Sequence, residues 1–276
     1  MAIRIATNVA AQNVVGWLSR SQAGLDKALE RLTSGYRINH AADDAAGLAI
    51  SNQFRHEIAG LKVAYNNASQ AVNMVRTAEG TLNRLVDMTR RLKELAVEAA
   101  SDTVDNDRRS VLNDEAQQII TEMVKLAKST KYAGMNLFSN SSATTFTFGV
   151  GLTSDSSNLI TIDIHKITDS SDLGLQTVDL SNLTSAQDSL DYIDNTLSSL
   201  NTWLANMGRA ENKLVYREEN LQTMIQNYTA SDSVIRDADM AAEMANFTKY
   251  QVLIQSGMAM LAQANSLPNN VLSLLR

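Results

Sequence analysis

The chain has no cysteine among its 276 residues. Neither a disulfide nor a thiolate metal site can therefore hold it together. It has one proline, Pro268, so no residue upstream breaks a helix in the way a proline ring does. Aromatic residues make up only 5%, and Ala, Leu, Ile, Val and Met carry most of the apolar content. That composition suits thin helix–helix seams better than one thick globular core. The formal net charge of −6 argues against a nucleic-acid surface. Long hydrophobic runs are missing too. The best, Val252 to Ala262, is interrupted by Gln255, Ser256 and Gly257 and is too short to span a bilayer. Near the N-terminus there is one early charge, Arg4, and no continuous apolar stretch, so no cleaved secretory signal is expected.

What is present is heptad spacing. Phe54, Ile58, Leu61, Tyr65, Ala68, Val72, Val75, Glu79 and Leu82 alternate by four and three residues. The register then shifts to Leu85, Met88, Leu92, Leu95 and Ala99. A further seam follows at Leu112, Ala116, Ile119, Met123 and Leu126. The longest runs through Ala186, Leu190, Ile193, Leu197, Leu200, Leu204, Met207, Glu211, Leu214, Glu218, Leu221, Ile225 and Tyr228. A helix over that span is about 65 Å long at about 1.5 Å per residue. Seams of this length predict coiled-coil packing of helices over 44–100, 106–130 and 184–235. Glu211 and Glu218 interrupt the last seam, either setting its register or facing water.

Residues 139–182 differ, being rich in Ser, Thr, Asn, Asp and Gly. Two alternating runs, Phe146-x-Phe148-x-Val150 and Ile160-x-Ile162-x-Ile164, flank turn-forming residues at 154–158. This pattern predicts a β-hairpin, with a further turn or short strand within 170–180. The ends form a third class. Val14, Leu18, Leu25, Leu29 and Leu32 make one narrow apolar stripe, and Met240, Met244, Phe247, Ile254, Met258 and Leu261 make another. Neither can bury itself alone, and isolated helices are marginal in water. The ends must pair with each other, with the rest of the chain or with further copies, or else stay disordered.

Catalytic and metal chemistry find little support. His40, His56 and His165 form no His-Glu-x-x-His pattern and no pair four residues apart. Asp102, Asp105 and Asp107 lack the glycine and distal glutamate of a calcium loop and read as a capped inter-helix loop. Gly149-Val150-Gly151 has no following Gly-Lys-Ser/Thr and is no phosphate loop. No nucleophile has a recognisable partner, and no cofactor is expected.

The stretch Leu32–Ser51 reads locally as a corner between helices. Gly35 sits where a helix end favours a left-handed residue. Asn39 and Asp43 are suited to cap a restarting helix, and Asp44 adds first-turn negative charge. Its wording, with Leu32, Ser34, Gly35, Arg37, Ile38, Asn39, Ala41, Asp43, Asp44, Ala45, Ala46, Gly47, Ala49, Ile50 and Ser51, resembles the N-terminal signature of bacterial flagellin. The likeness continues at Thr77-Ala78-Glu79-Gly80 and Glu94-Leu95-Ala96-Val97. Asp237-Ala238-Asp239, Gln251 to Gly257, Leu261 to Asn265 and Asn270 to Arg276 resemble the C-terminal signature.

The resemblance implies a mainly α fold: a long antiparallel coiled-coil or helical-bundle rod with a small β-hairpin region and paired terminal segments. Residues 1–43 and 236–276 would be inner-layer helices and 44–235 the rod, with large outer domains absent. The implied role is the repeating subunit of the extracellular flagellar filament, exported unfolded by a type III route. Implied partners are further copies of the chain, an export chaperone, the filament cap, hook-junction proteins and, in an animal host, Toll-like receptor 5. Nucleic acid and membrane insertion are not implied. By match to the receptor-sensed motif, Arg91, Leu95 and Glu115 would be the contacts. Gly35, Arg37, Asn39, Asp43 and Asp44 would set a filament joint. Ser139, Ser141, Ser142 and Thr144 are glycan acceptors by family analogy alone. A hook–filament junction protein and a coiled-coil adaptor are the competing readings.

Overall fold

The computed structural model of the chain describes residues 7–139, 145–153 and 155–274, with side chains as far as 266. The described residues form five α-helices: α1 (Val9–Ser34), α2 (Ala45–Ala99), α3 (Asn106–Ser129), α4 (Leu183–Arg236) and α5 (Met240–Leu274). Between α3 and α4 lie two antiparallel strand pairs. β1 (Lys131–Tyr132) pairs with β2 (Met135–Asn136), and β3 (Thr145–Gly149) pairs with β4 (Leu159–Asp163). The fold is mainly α, as the heptads predict. Two compact units result: Met1–His56 with Asn227–Arg276, and Glu57–Gln226. Their bounds fall inside α2 and α4, whereas the helices themselves break at 35–44 and 237–239.

In the unit Glu57–Gln226, α2 and α4 run antiparallel, as two ion pairs show: Arg76–Glu211 at 2.8 Å and Lys93–Asp194 at 2.5 Å. Glu211 thus meets a cation across the seam. Helix α4 buries an apolar residue at every seventh position, Ala186, Ile193, Leu200, Met207, Leu214 and Leu221, and also buries Ser189 and Thr196. The intervening Leu190, Leu197 and Leu204 are half-buried. Helix α2 buries Leu61, Ala68, Val75, Leu82, Leu85, Leu92 and Ala99 along the predicted seam. At the predicted Glu79 it instead buries the neighbouring Ala78, because a carboxylate without a buried partner is expensive to desolvate. In α3 the fully buried face is Leu112, Ala116, Ile120, Met123 and Ala127. Ile119 and Leu126 are half-buried against it, so three of the five predicted positions hold and two shift by one residue.

The predicted hairpin is β3–β4, with Phe146 opposite Ile162 and Phe148 opposite Ile160. The smaller β1–β2 hairpin was not foreseen. Its turn takes positive φ at both Ala133 (48°) and Gly134 (84°), the conformation of a two-residue hairpin loop, and only the glycine signals it. At 170–180 the chain forms turns and no strand, with the Gly174 N–H donating to the Ser171 carbonyl. With Ile167 just before it, that segment is irregular yet apolar, burying Leu173, Leu175, Val178 and Leu180. Its backbone is satisfied by helix side chains. The Thr196 hydroxyl donates to the Leu173 carbonyl (2.7 Å), Gln117 donates to the Val178 carbonyl (2.8 Å), and the Leu180 N–H donates to Asn113 (3.0 Å). These bonds let irregular backbone stand in place of a fourth helix.

Truncating Leu85, fully buried in this core, to alanine should destabilise the unit by about 2–5 kcal/mol. Tyr216→Ala, on an exposed face of α4, should change it by about 0.5 kcal/mol or less. Urea unfolding of both variants checks the contrast.

Candidate assembly interface of the terminal helices

Helices α1 and α5 pair antiparallel. The Arg31 guanidinium meets the Glu243 carboxylate at 2.8 Å near one end, and the Asn8 amide reaches the Ala264 carbonyl at the other. Glycines permit close approach between these ends. A Cβ on Gly24 would lie 2.5 Å from the Tyr250 ring, and one on Gly257 would lie 3.3 Å from Leu18. Val14, Leu18, Leu25, Leu32, Phe247, Ile254 and Leu261 are half-buried, whereas Leu29, Met240, Met244 and Met258 are exposed. The two predicted stripes therefore divide between an inward seam and exposed positions beside it. Trp17 (67% exposed), Val9, Val15, Val252, Leu253 and Met260 are further exposed apolar residues, distributed around the remaining sides of the two helices. Among the described residues of the pair only Ala28, Glu243 and Ala264 are buried. An exposed apolar surface of this extent on two adjoining helices marks an interaction surface.

The corner lies within the same unit. Gly35 ends α1 with φ 74°, its N–H donating to the Arg31 carbonyl at 2.9 Å. The chain then pairs with the break between α4 and α5. The Arg37 N–H donates to the Arg236 carbonyl (2.7 Å), and the Ala238 N–H donates to the Gly35 carbonyl (2.9 Å). Tyr36 lies opposite Asp237 in this short bridge. The Arg37 guanidinium donates to the Ile235 carbonyl at 2.6 Å, satisfying an acceptor that the end of α4 leaves free. The Tyr36 ring carries Arg236 at 4.5 Å and Arg55 at 5.6 Å. Arg55 and Ser51 both bind Asp232, at 3.2 and 2.5 Å.

The caps differ from the expected ones. Asp44, not Asn39 or Asp43, caps α2 by accepting from the Gly47 N–H at 2.9 Å. A Cβ on Gly47 would lie 2.5 Å from that carboxylate, so the glycine makes room for the cap. Asn39 donates to the Tyr36 carbonyl (3.3 Å). Asp43 turns back toward α1. It pairs with the Lys27 ammonium at 2.6 Å and accepts from the N–H groups of His40 (3.2 Å) and Asn39 (3.3 Å). The Lys27 contact first, then the backbone donors, hold its carboxyl at about 2 against an ordinary 3.8. The sequence did not reveal Tyr36, Arg55, Asp232, Arg236 or Lys27 as parts of the corner. Gly24 and Gly257, isolated within helical patterns, were the available signal for close backbone approach.

On the other unit, Arg91 bridges α2 and α3. It meets Glu115 at 2.9 Å and Glu94 at 3.0 Å, with all three side chains exposed. Leu95 is only 2% exposed and belongs to the core. It lies beneath the exposed pair, not beside it on the surface. Asp105 caps α3 by accepting from the Arg108 N–H at 2.8 Å. Buried Arg109 donates to the Ala99 and Ser101 carbonyls, both at 2.9 Å, closing the end of α2. The acidic cluster is thus a helix start. His165 faces outward and stacks on Trp203 with ring centroids 4.1 Å apart. No group of metal-ligating side chains occurs among the described residues, and no described helix is long and apolar enough to cross a membrane. Ser139 is half-buried; Ser141, Ser142 and Thr144 lie outside the described residues.

Comparison with known proteins now decides the family. Residues 5–143 match the bacterial flagellin N-terminal helical region, and residues 190–275 match its C-terminal helical region. The chain belongs to the bacterial flagellin family. It is 38% identical to a flagellin of Halalkalibacterium halodurans over 91% of each chain. Flagellin FlaB1 of Treponema pallidum is 34% identical over 98% of each. Flagellin of Bacillus subtilis is 33% identical over 99% of this chain and 100% of that one. Flagellins are subunits of the flagellar filament, structural proteins and not enzymes.

Because folding lowers the Asp43 pKa, its pairing stabilises the corner above about pH 4 and that stability is lost as pH falls through about 2. Asp43→Asn should flatten the loss of thermal stability between about pH 4 and pH 2. Melting curves of wild type and variant across that window check the effect.

Proposed function

We propose that copies of this flagellin polymerise into the filament that drives swimming. In this reading residues 1–43 and 236–276 form its inner layer and 44–235 a rod around it. The observation that carries the reading is the terminal helix pair: its seam occupies one side of each helix, and the apolar side chains exposed around the other sides have no cover within the unit. Subunits of a heterologous, non-closing lattice bury such faces repeatedly, which gives an open helical polymer. Gly35, Arg37, Asn39, Asp43 and Asp44 set the angle at which the inner-layer helices leave the rod. The subunit leaves the cell unfolded through the type III apparatus and meets an export chaperone, hook-junction proteins and the filament cap on its way. Narrow stripes suit this route, since their ordering entropy is offset at docking. Any glycan on this chain attaches within 139–144, and intact-mass measurement reads it.

Chains lacking residues 1–30 or 250–276 should remain soluble and helical and should not polymerise. Electron micrographs of purified protein under seeding conditions read this directly, and normal filaments from either truncation would remove the assembly role of the ends. Limited proteolysis of the free chain should trim it back to near the corner at 35–44.

In an animal host the free subunit is an agonist of Toll-like receptor 5. Exposed Arg91 and Glu115 supply the charged contact, and Leu95 supports the helix beneath them. An arginine with an acidic neighbour on a rigid helix has the character of an interface hot spot. Arg91→Ala with Glu115→Ala leaves the core intact and should lower reporter-cell signalling by about tenfold or more. Unchanged signalling would exclude the site.

A further inference from the structure

Pro268 is the only proline in the chain, and α5 continues through it to Leu274. A proline has no N–H, so inside a helix the carbonyl four residues earlier loses its donor. Here that carbonyl belongs to Ala264, whose side chain is buried against α1 at 7% exposure. An unpaired carbonyl in such a place would be costly. It is not unpaired: the Asn8 side-chain amide donates to it at 2.8 Å. The same side chain, through its oxygen, accepts from the Ala11 N–H at 3.0 Å and so caps α1. One asparagine thereby satisfies both an orphan donor at the start of α1 and an orphan acceptor in α5.

We propose that Asn8 and Pro268 together form a register lock for the terminal helix pair. The seam alone fixes register weakly, because most of its contacts are half-buried apolar side chains that a slip by one turn could replace. Close helix approach at Gly24 and Gly257 permits the fit without dictating a directional bond. The Ala264 carbonyl is different. In an uninterrupted helix every interior carbonyl already accepts a backbone N–H, so a carbonyl that depends on a side-chain donor from the partner helix arises where the proline removes that N–H. Asn8 can reach that acceptor in one register. At the opposite end Arg31–Glu243 supplies the second fixed point. The lock concerns folding within the pair and is independent of whether the chain forms a filament.

The decisive measurement is amide hydrogen exchange on the full-length chain, free and as pelleted polymer, read in α1 and in 252–266. Asn8→Ser and Asn8→Asp both retain an N-capping oxygen but lack the amide donor. Each should raise exchange in both segments by about tenfold. Pro268→Ala returns a backbone donor to the Ala264 carbonyl. In that background the same Asn8 substitutions should raise exchange by less than about threefold. An Asn8 effect of equal size in both backgrounds would overturn the lock, as would no effect in the wild-type background. Unprotected α1 and α5 amides in both wild-type preparations would also overturn it, since no pair would then exist to be registered.

Discussion

Two helices can bury only one face of each other. The unit that holds α1 and α5 is built within that limit, and most of its other properties follow from it. The α1–α5 pair has a seam but no second layer, so nearly every apolar side chain in it is at most half-buried. The unit Glu57–Gln226 escapes the limit by adding α3, two hairpins and an irregular apolar segment to α2 and α4. It therefore has fully buried leucines and methionines from Leu61 to Leu214. The depth to which apolar side chains are buried in each unit follows the number of packed layers.

A thin pair needs directional contacts that a thick core can do without. They concentrate where the chain enters and leaves it. At the corner two backbone hydrogen bonds join residues 35–37 to 236–238, and Tyr36 is held between two arginines. Lys27, Asp43, Arg55 and Asp232 add ion pairs around them. Exposed pairs of this kind contribute little singly. Their value here is geometric, since each requires a particular angle between helices that apolar contacts leave free.

Long heptads were legible in the sequence because their period survives any detail of packing, as the seven-residue series Ala186 to Leu221 demonstrates. The β3–β4 hairpin was legible for the same reason, with period two. Alternation cannot say which of two adjacent apolar residues faces inward, which is why Ile120 and Ala127 replaced Ile119 and Leu126 in α3. Nor can it choose among neighbouring caps. Asn39, Asp43 and Asp44 each offer a side-chain oxygen as a cap, and the room left by Gly47 and the pull of Lys27 assign the two carboxylates. The burial of Leu95 was hidden similarly. A residue four from Arg91 shares its face only if that face is exposed, and here the seam passes beneath it.

The distribution of charge completes the argument. From Tyr250 to Leu275 the chain carries no Asp, Glu, Lys or Arg, and its polar residues there are Gln, Asn, Ser and Tyr. In a homopolymer each residue meets chemically identical surroundings at every lattice step. A charge on the docking face would recur at short spacing along the lattice, and like charges in a partly dry interface repel strongly. Amides and hydroxyls avoid this because each is both donor and acceptor and can pair with its own kind. Helices α2 and α4 carry ordinary mixed charge, including Arg76, Lys93, Asp194 and Glu211 paired within one chain. A helix can therefore be exposed, apolar on one side and nearly free of charge without being a membrane segment, provided that what covers it is another copy of itself.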